Sequence, residues 1–90
     1  SSSRARKENI AALSLDDAVA TLARLEPVRF NYRNDRVESY VGFIAEDVPE
    51  LVATSDRDGL SSMDIVAVLT RVVQEQQKKI EALEARLDQR

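Results

Sequence analysis

The longest uninterrupted pattern in the chain runs from Asp64 to Leu87, and it limits the fold more than any other stretch. Neither Gly nor Pro breaks it. Val66, Leu69, Val73, Ile80, Leu83 and Leu87 fall on a and d positions of a heptad frame, with Gln76 as one polar residue at d. The spacing predicts a single helix. Ile65, Val68 and Val72 widen its apolar stripe in the first half, whereas beyond Gln76 only the narrow seam is left. A wide apolar face packs on a globular body and a narrow seam packs on copies of itself. The helix is therefore expected to be a core element and an association device at once.

A chain of 90 residues makes one domain at most, and so short a chain buries little of its surface unless it is stapled or oligomerises. It contains neither Cys nor His, which excludes disulfides, thiol catalysis and the usual zinc sites. Association is the stabiliser that remains. A formal charge of -3, with acids and bases interspersed, is no nucleic-acid footprint, which needs a concentrated basic face. Arg4, Arg6 and Lys7 form the one basic cluster and read as a solvated terminus. No apolar run approaches the length of about 20 residues that spans a bilayer, and no signal peptide is visible. Neither nucleic acid nor membrane is expected as a partner, and no metal or cofactor. The abrupt opening on Ser1-Ser2-Ser3 is expected of a piece of a longer protein.

Taken in order, residues 1–13 read as an arm, polar through Asn9 and ending in an apolar patch from Ile10 to Leu13. A globular body is expected over 14–63. Ser14 and the Asp three residues on resemble a capping box, and a helix should follow to about Leu25, with Leu15, Ala18, Val19, Leu22 and Leu25 on one face. Pro27 ends it, because Glu26 before the ring is pushed out of helical geometry. Val28 to Tyr32 alternates as a half-buried strand does, Asn34-Asp35 offers a turn, and Val37 to Ile44 returns as a second strand. The β-hairpin would pack Phe30, Tyr32, Tyr40 and Phe43, and Gly42 suggests a bulge or a close backbone approach. Glu46 to Val52 reads as one or two helical turns with Pro49 near a start, and Asp56 to Gly59 as a polar turn. Ser61 or Ser62 can cap the long helix, which occupies the last segment, 64–90. The fold class is α+β: arm, helix, hairpin, short helix and long C-terminal helix.

Few residues offer chemistry. Glu46-Asp47 follows a strand, but without further acidic ligands it reads as a solvated helix start. Asp56-Arg57-Asp58-Gly59 lacks the later ligands of a calcium loop and is a turn. A Ser beside a Lys is the remaining possibility. A hydroxyl becomes an effective nucleophile when a neighbouring base removes its proton, and a lysine amine serves as that base once burial or nearby charge favours its neutral form.

Four segments in order carry a resemblance. Ser2-Ser3-Arg4-Ala5-Arg6-Lys7-Glu8-Asn9-Ile10 resembles a motif of Ser, then Asp or Ser, three further residues, and Lys-Glu-Asn-Ile. Leu25-Glu26-Pro27-Val28-Arg29-Phe30 and Gly42-Phe43-Ile44-Ala45-Glu46-Asp47-Val48 are similar to two later segments, and the closing helix with Gln74-Glu75-Gln76-Gln77 to a third. Together they resemble the S74 peptidase family, the intramolecular chaperone domain of phage tailspikes and tail fibres. Ala5 and Arg6 depart from the pattern, standing where an Arg and an aromatic or Leu are common.

The resemblance implies a C-terminal module that trimerises, assists folding of the fibre upstream, and then cuts itself off on the N-terminal side of the motif serine. By position Ser2 is the nucleophile and Lys7 its general base, with Glu8 and Asn9 in positioning roles. The hydroxyl of Ser2 attacks the preceding carbonyl in an N-to-O acyl shift, and water hydrolyses the ester; chemistry of this kind also needs oxyanion donors. The chain itself then resembles the released product. The partners implied are two further copies and the upstream domain, and the implied setting is the bacterial host cytoplasm during virion assembly. Val66, Val73 and Ile80 at a, with Leu69 and Leu83 at d, favour a parallel dimer by coiled-coil rules, whereas the family implies a parallel trimer, with Gln76 able to specify register. Lys79 at g and Glu84 at the next e are placed for an interchain pair. A non-cleaving trimerisation cap and a coiled-coil adaptor are the alternatives.

Overall fold

The computed structural model describes residues 2–56 and 59–89. The architecture is α+β: helix α1 (Leu15–Arg24), strands β1 (Val28–Tyr32) and β2 (Asp35–Gly42) in an antiparallel hairpin, two short 3₁₀ turns, and helix α2 (Ser62–Asp88). A further 3₁₀ turn, Arg4–Arg6, lies in the N-terminal arm.

Each boundary has a local cause. Ser14 caps α1, its Oγ accepting from the Asp17 N–H at 3.3 Å, and Asp16 and Asp17 put negative charge at the positive end of the helix. The helix ends at Arg24, and Leu25 leaves helical geometry with ψ 132° two residues before Pro27. Ser61 caps α2 by accepting from the Asp64 N–H at 3.3 Å, so the helix starts at Ser62, ahead of the Asp64 that periodicity indicated. Pro49 caps the second 3₁₀ turn, Glu50–Val52, where its fixed φ of -60° is no hindrance.

The core is small. Ala18, Val48, Val52, Ile65, Val68 and Val72 are buried, with Leu13, Leu22, Leu25, Phe43, Ala53 and Leu60 packed around them. α1 and the Glu50–Val52 turn lie on the first half of α2, covering the row Ile65, Val68 and Val72. A bridge between Ala53 and Leu60 closes the turn that leads into α2, and Thr54 holds that turn, its Oγ1 donating to Asp56 at 2.7 Å and accepting from the Gly59 N–H at 3.1 Å. Arg57 and Asp58, the middle of the expected polar turn, lie outside the described residues.

Two expectations, on the α1 face and on the packing of the hairpin, are corrected, and one of the two readings of Gly42 is borne out. Val19 is exposed, and Thr21 is buried in the α1 face instead; the face tracks Ala18, Thr21 and Leu25 at helical spacing, and Val19 lies one residue's rotation outside it. The hairpin stands largely off the body: β1, read as a half-buried strand, is partly buried at Val28 and Phe30, and β2 is exposed along nearly its whole length. Phe30, Tyr32 and Tyr40 pack mainly on one another, with ring centroids 5.2–5.9 Å apart, while Phe43 leaves the hairpin for the core. The register irregularity lies between Phe30↔Tyr40 and Tyr32↔Asp35, on the β2 side of the tip, and Gly42 is a site of close approach: a Cβ there would stand 3.3 Å from Phe30 Cε1.

Candidate functional site

The arm is built around one turn. Ser3 is extended (φ -65°, ψ 140°) and its Oγ accepts from the Ala5 N–H at 3.2 Å. The Arg6 N–H donates to Ser3 O and the Lys7 N–H to Arg4 O, both at 3.1 Å. Arg4 to Arg6 thereby form a capped 3₁₀ turn, with Ser2 immediately before the cap and Lys7 immediately after the last helical residue. The turn advances by about 2 Å per residue, against about 3.3 Å in an extended chain, so it draws the two backbones toward each other. Ser2, Lys7, Glu8 and Asn9 are all exposed.

Ser3 was not among the candidate residues, yet it organises the turn. The motif itself carries the signal: its second position is Asp or Ser, and these two side chains are among the best N-caps because a short acceptor reaches back to an unpaired N–H.

Beyond Lys7 the chain turns at Asn9, which has φ 55°, the one positive φ outside glycine among the described residues. Ile10 is exposed, and Leu13 joins the margin of the core. Arg71 fastens the arm there, its Nε donating to Leu13 O at 3.1 Å. In the heptad frame Arg71 is at f, on the side of α2 opposite the a/d seam. The hydrogen bond ties the arm to the helix and leaves the seam unobstructed.

That seam is open. The exposed fractions of Val66, Leu69, Val73, Ile80, Leu83 and Leu87 run from 41% at Leu69 to 64% at Leu87, while Ile65, Val68 and Val72 on the same helix are at most 8% exposed. The two rows are rotated by about 100° around the helix, so the body buries one and leaves the other largely exposed. Gln76, Lys79 and Glu84 are exposed, and Gln77 Nε2 donates to Glu81 Oε1 at 3.2 Å along the outer surface.

The other acidic segments do not converge. Glu46 and Asp47 sit in the 3₁₀ turn Ala45–Asp47, and among the described residues no three His, Cys, Asp or Glu side chains could hold a metal ion together. Among the described residues no helix is long and apolar enough to cross a membrane.

No curated protein and no solved structure matches the chain at a significant level. A family model does. It covers residues 2–56, from Ser2 through the arm turn, α1, the hairpin and the two 3₁₀ turns, and by that match the chain belongs to the peptidase S74 family, described as the chaperone of endosialidase.

Proposed function

We propose that this chain is the C-terminal intramolecular chaperone of a phage tail fibre or tailspike, that it acts as a parallel homotrimer, and that it releases itself by cutting the peptide bond before Ser2. The family's chaperone description supports the first part. The observation that carries the reading is the two-faced α2, in which one apolar row is buried by the body and a second, heptad-spaced row is left exposed. Trimer formation covers that second row. The setting is the bacterial host cytoplasm during virion assembly, with the upstream domain of the same precursor as client.

The cut is a Ser-Lys reaction. Lys7 takes the proton of the Ser2 hydroxyl as Oγ attacks the carbonyl carbon of the preceding residue. The C–N bond breaks, the nitrogen of Ser2 receives the proton, and the upstream chain is held as an ester on Oγ. Water hydrolyses the ester, leaving an upstream carboxylate and a chaperone that starts at Ser2 with a free amine and hydroxyl. On the protomer Lys7 is exposed, and burial is one of the conditions that favour a neutral lysine amine. Assembly with the partners and the upstream segment supplies that burial, so the cut follows assembly. Departure of the chaperone then makes the folded fibre kinetically persistent, because its template for folding is gone.

The test is to express the chain with its native upstream segment and weigh the products. Wild type should yield two fragments separated before Ser2. Ser2→Ala and Lys7→Ala should each remain uncut while sedimenting as trimers. Uncut wild type in the trimeric state overturns the protease reading in favour of a non-cleaving cap, and a monomer at tens of micromolar overturns both.

A further inference from the structure

Asn9 follows the Ser2–Lys7 segment by two residues, and its backbone does something no other described non-glycine residue does: it takes φ 55°. In that left-handed region a Cβ crowds the following carbonyl, and Asn is one of the few side chains that enter it readily. The position of this corner matters because the chain on either side of it is held. Upstream, the Ser3 cap and the two 3₁₀ hydrogen bonds fix the turn from Ser3 to Lys7. Downstream, Leu13 is fastened to α2 through Arg71. The direction in which the turn leaves the body is therefore governed by a short stretch of backbone, and Asn9 is its sharpest bend.

We propose that Asn9 is a positioning residue for the cut before Ser2, and that it acts through its left-handed backbone rather than through its carboxamide. The inference rests on the autoproteolytic reading above. Its contrast is an Asn9 whose amide touches the reacting groups, for example as an oxyanion donor, and the two assignments predict opposite orders of variants. Glycine keeps the corner and deletes the amide. Alanine deletes the amide and disfavours the corner, and valine disfavours it more strongly because its branched Cβ tolerates positive φ least.

Cleavage rates of the full precursor, with upstream segment, decide between them. Asn9→Gly should cut within about twofold of wild type, Asn9→Ala about fivefold more slowly, and Asn9→Val at least tenfold more slowly, all with the trimer mass unchanged by light scattering. Asn9→Gly as slow as Asn9→Ala overturns the backbone assignment, and so does wild-type cleavage by Asn9→Val. The corner is measured separately in the isotopically labelled 90-residue chain, from the HN–Hα coupling and the intraresidue HN–Hα distance of Asn9. A negative φ there overturns the proposal whatever the precursor does. A positive φ in a chain whose wild-type precursor is never cut overturns the autoproteolytic reading, and the positioning role with it.

Discussion

Gly42 stands opposite Val28 in the hairpin ladder, and the space where a side chain would begin is already taken by the edge of the Phe30 ring, 3.3 Å from an ideal Cβ. Phe30 cannot slide away freely, since it stacks on Tyr40 at 5.9 Å and meets Tyr32 edge-on at 5.3 Å. Gly42→Ala should therefore destabilise the protein by about 1 kcal/mol, despite the lower strand entropy that alanine offers, and chemical denaturation at fixed protomer concentration measures it. A stabilised Gly42→Ala variant would mean that the aromatic cluster yields at low cost. At this scale the sequence is informative where a residue's local physics has few solutions. A Gly inside a strand pattern points to a bulge or a close approach, and serines ahead of acidic first turns point to caps at Ser14 and at Ser61 or Ser62. It gives Asn9 a place in the motif but no sign of its left-handed backbone, because many asparagines are ordinary, and it is mute on Ser3, whose capping role lies in the Asp-or-Ser choice of the motif.

Among the elements, α2 was the most legible and the hairpin the least. Periodicity marked Ile65, Val68 and Val72 as widening the apolar stripe in the first half, and the structure buries that row while leaving the a/d positions beside it exposed. The two rows lie about 100° apart around the helix, and the small body covers only the first of them. The alternation of β1 and β2 carried less information. Alternation says that two strand faces differ, and an aromatic cluster packed on itself satisfies that pattern as well as a core does, so Phe30, Tyr32 and Tyr40 gave no sign that the hairpin stands off the body. The buried row of α2 yields a direct expectation. Val68 is 1% exposed, and Val68→Ala removes two methyl groups' worth of burial and opens a void between α2 and its neighbours. The variant should lose about 2 kcal/mol of stability while keeping its oligomeric mass, as read by denaturation and sedimentation on the same sample. Loss of the oligomer at unchanged stability would show that Val68 belongs to the association face.

For the whole molecule, the question is how a chain with so small a core persists as a folded unit, and whether the proposed cut depends on assembly. Among the described residues six buried apolar side chains form the core, and a body of this size gains too little from burial to be comfortably stable alone. The exposed seam holds six large apolar side chains between Val66 and Leu87, each contributing roughly 1.5–3 kcal/mol when fully buried. In the proposed trimer, covering them would add a stabilisation comparable with that of the body itself, and folding and association would become one equilibrium that depends on protomer concentration. The arm shares in this equilibrium through the Arg71–Leu13 hydrogen bond on the far side of the same helix. Replacing Ile80 and Leu83 together by Asp, in a precursor that retains its upstream segment, places carboxylates in adjacent layers of the seam without touching the body or the arm. Each would have to lose water among like charges, which the side-chain packing cannot offset. The variant should sediment as a monomer, and its cleavage before Ser2 should fall at least a hundredfold, followed by mass spectrometry over the time in which wild type is cut to completion. Cleavage by that monomer at the wild-type rate would show that α2 organises the fold without governing the chemistry, and that Ser2 and Lys7 are brought into register by the arm alone.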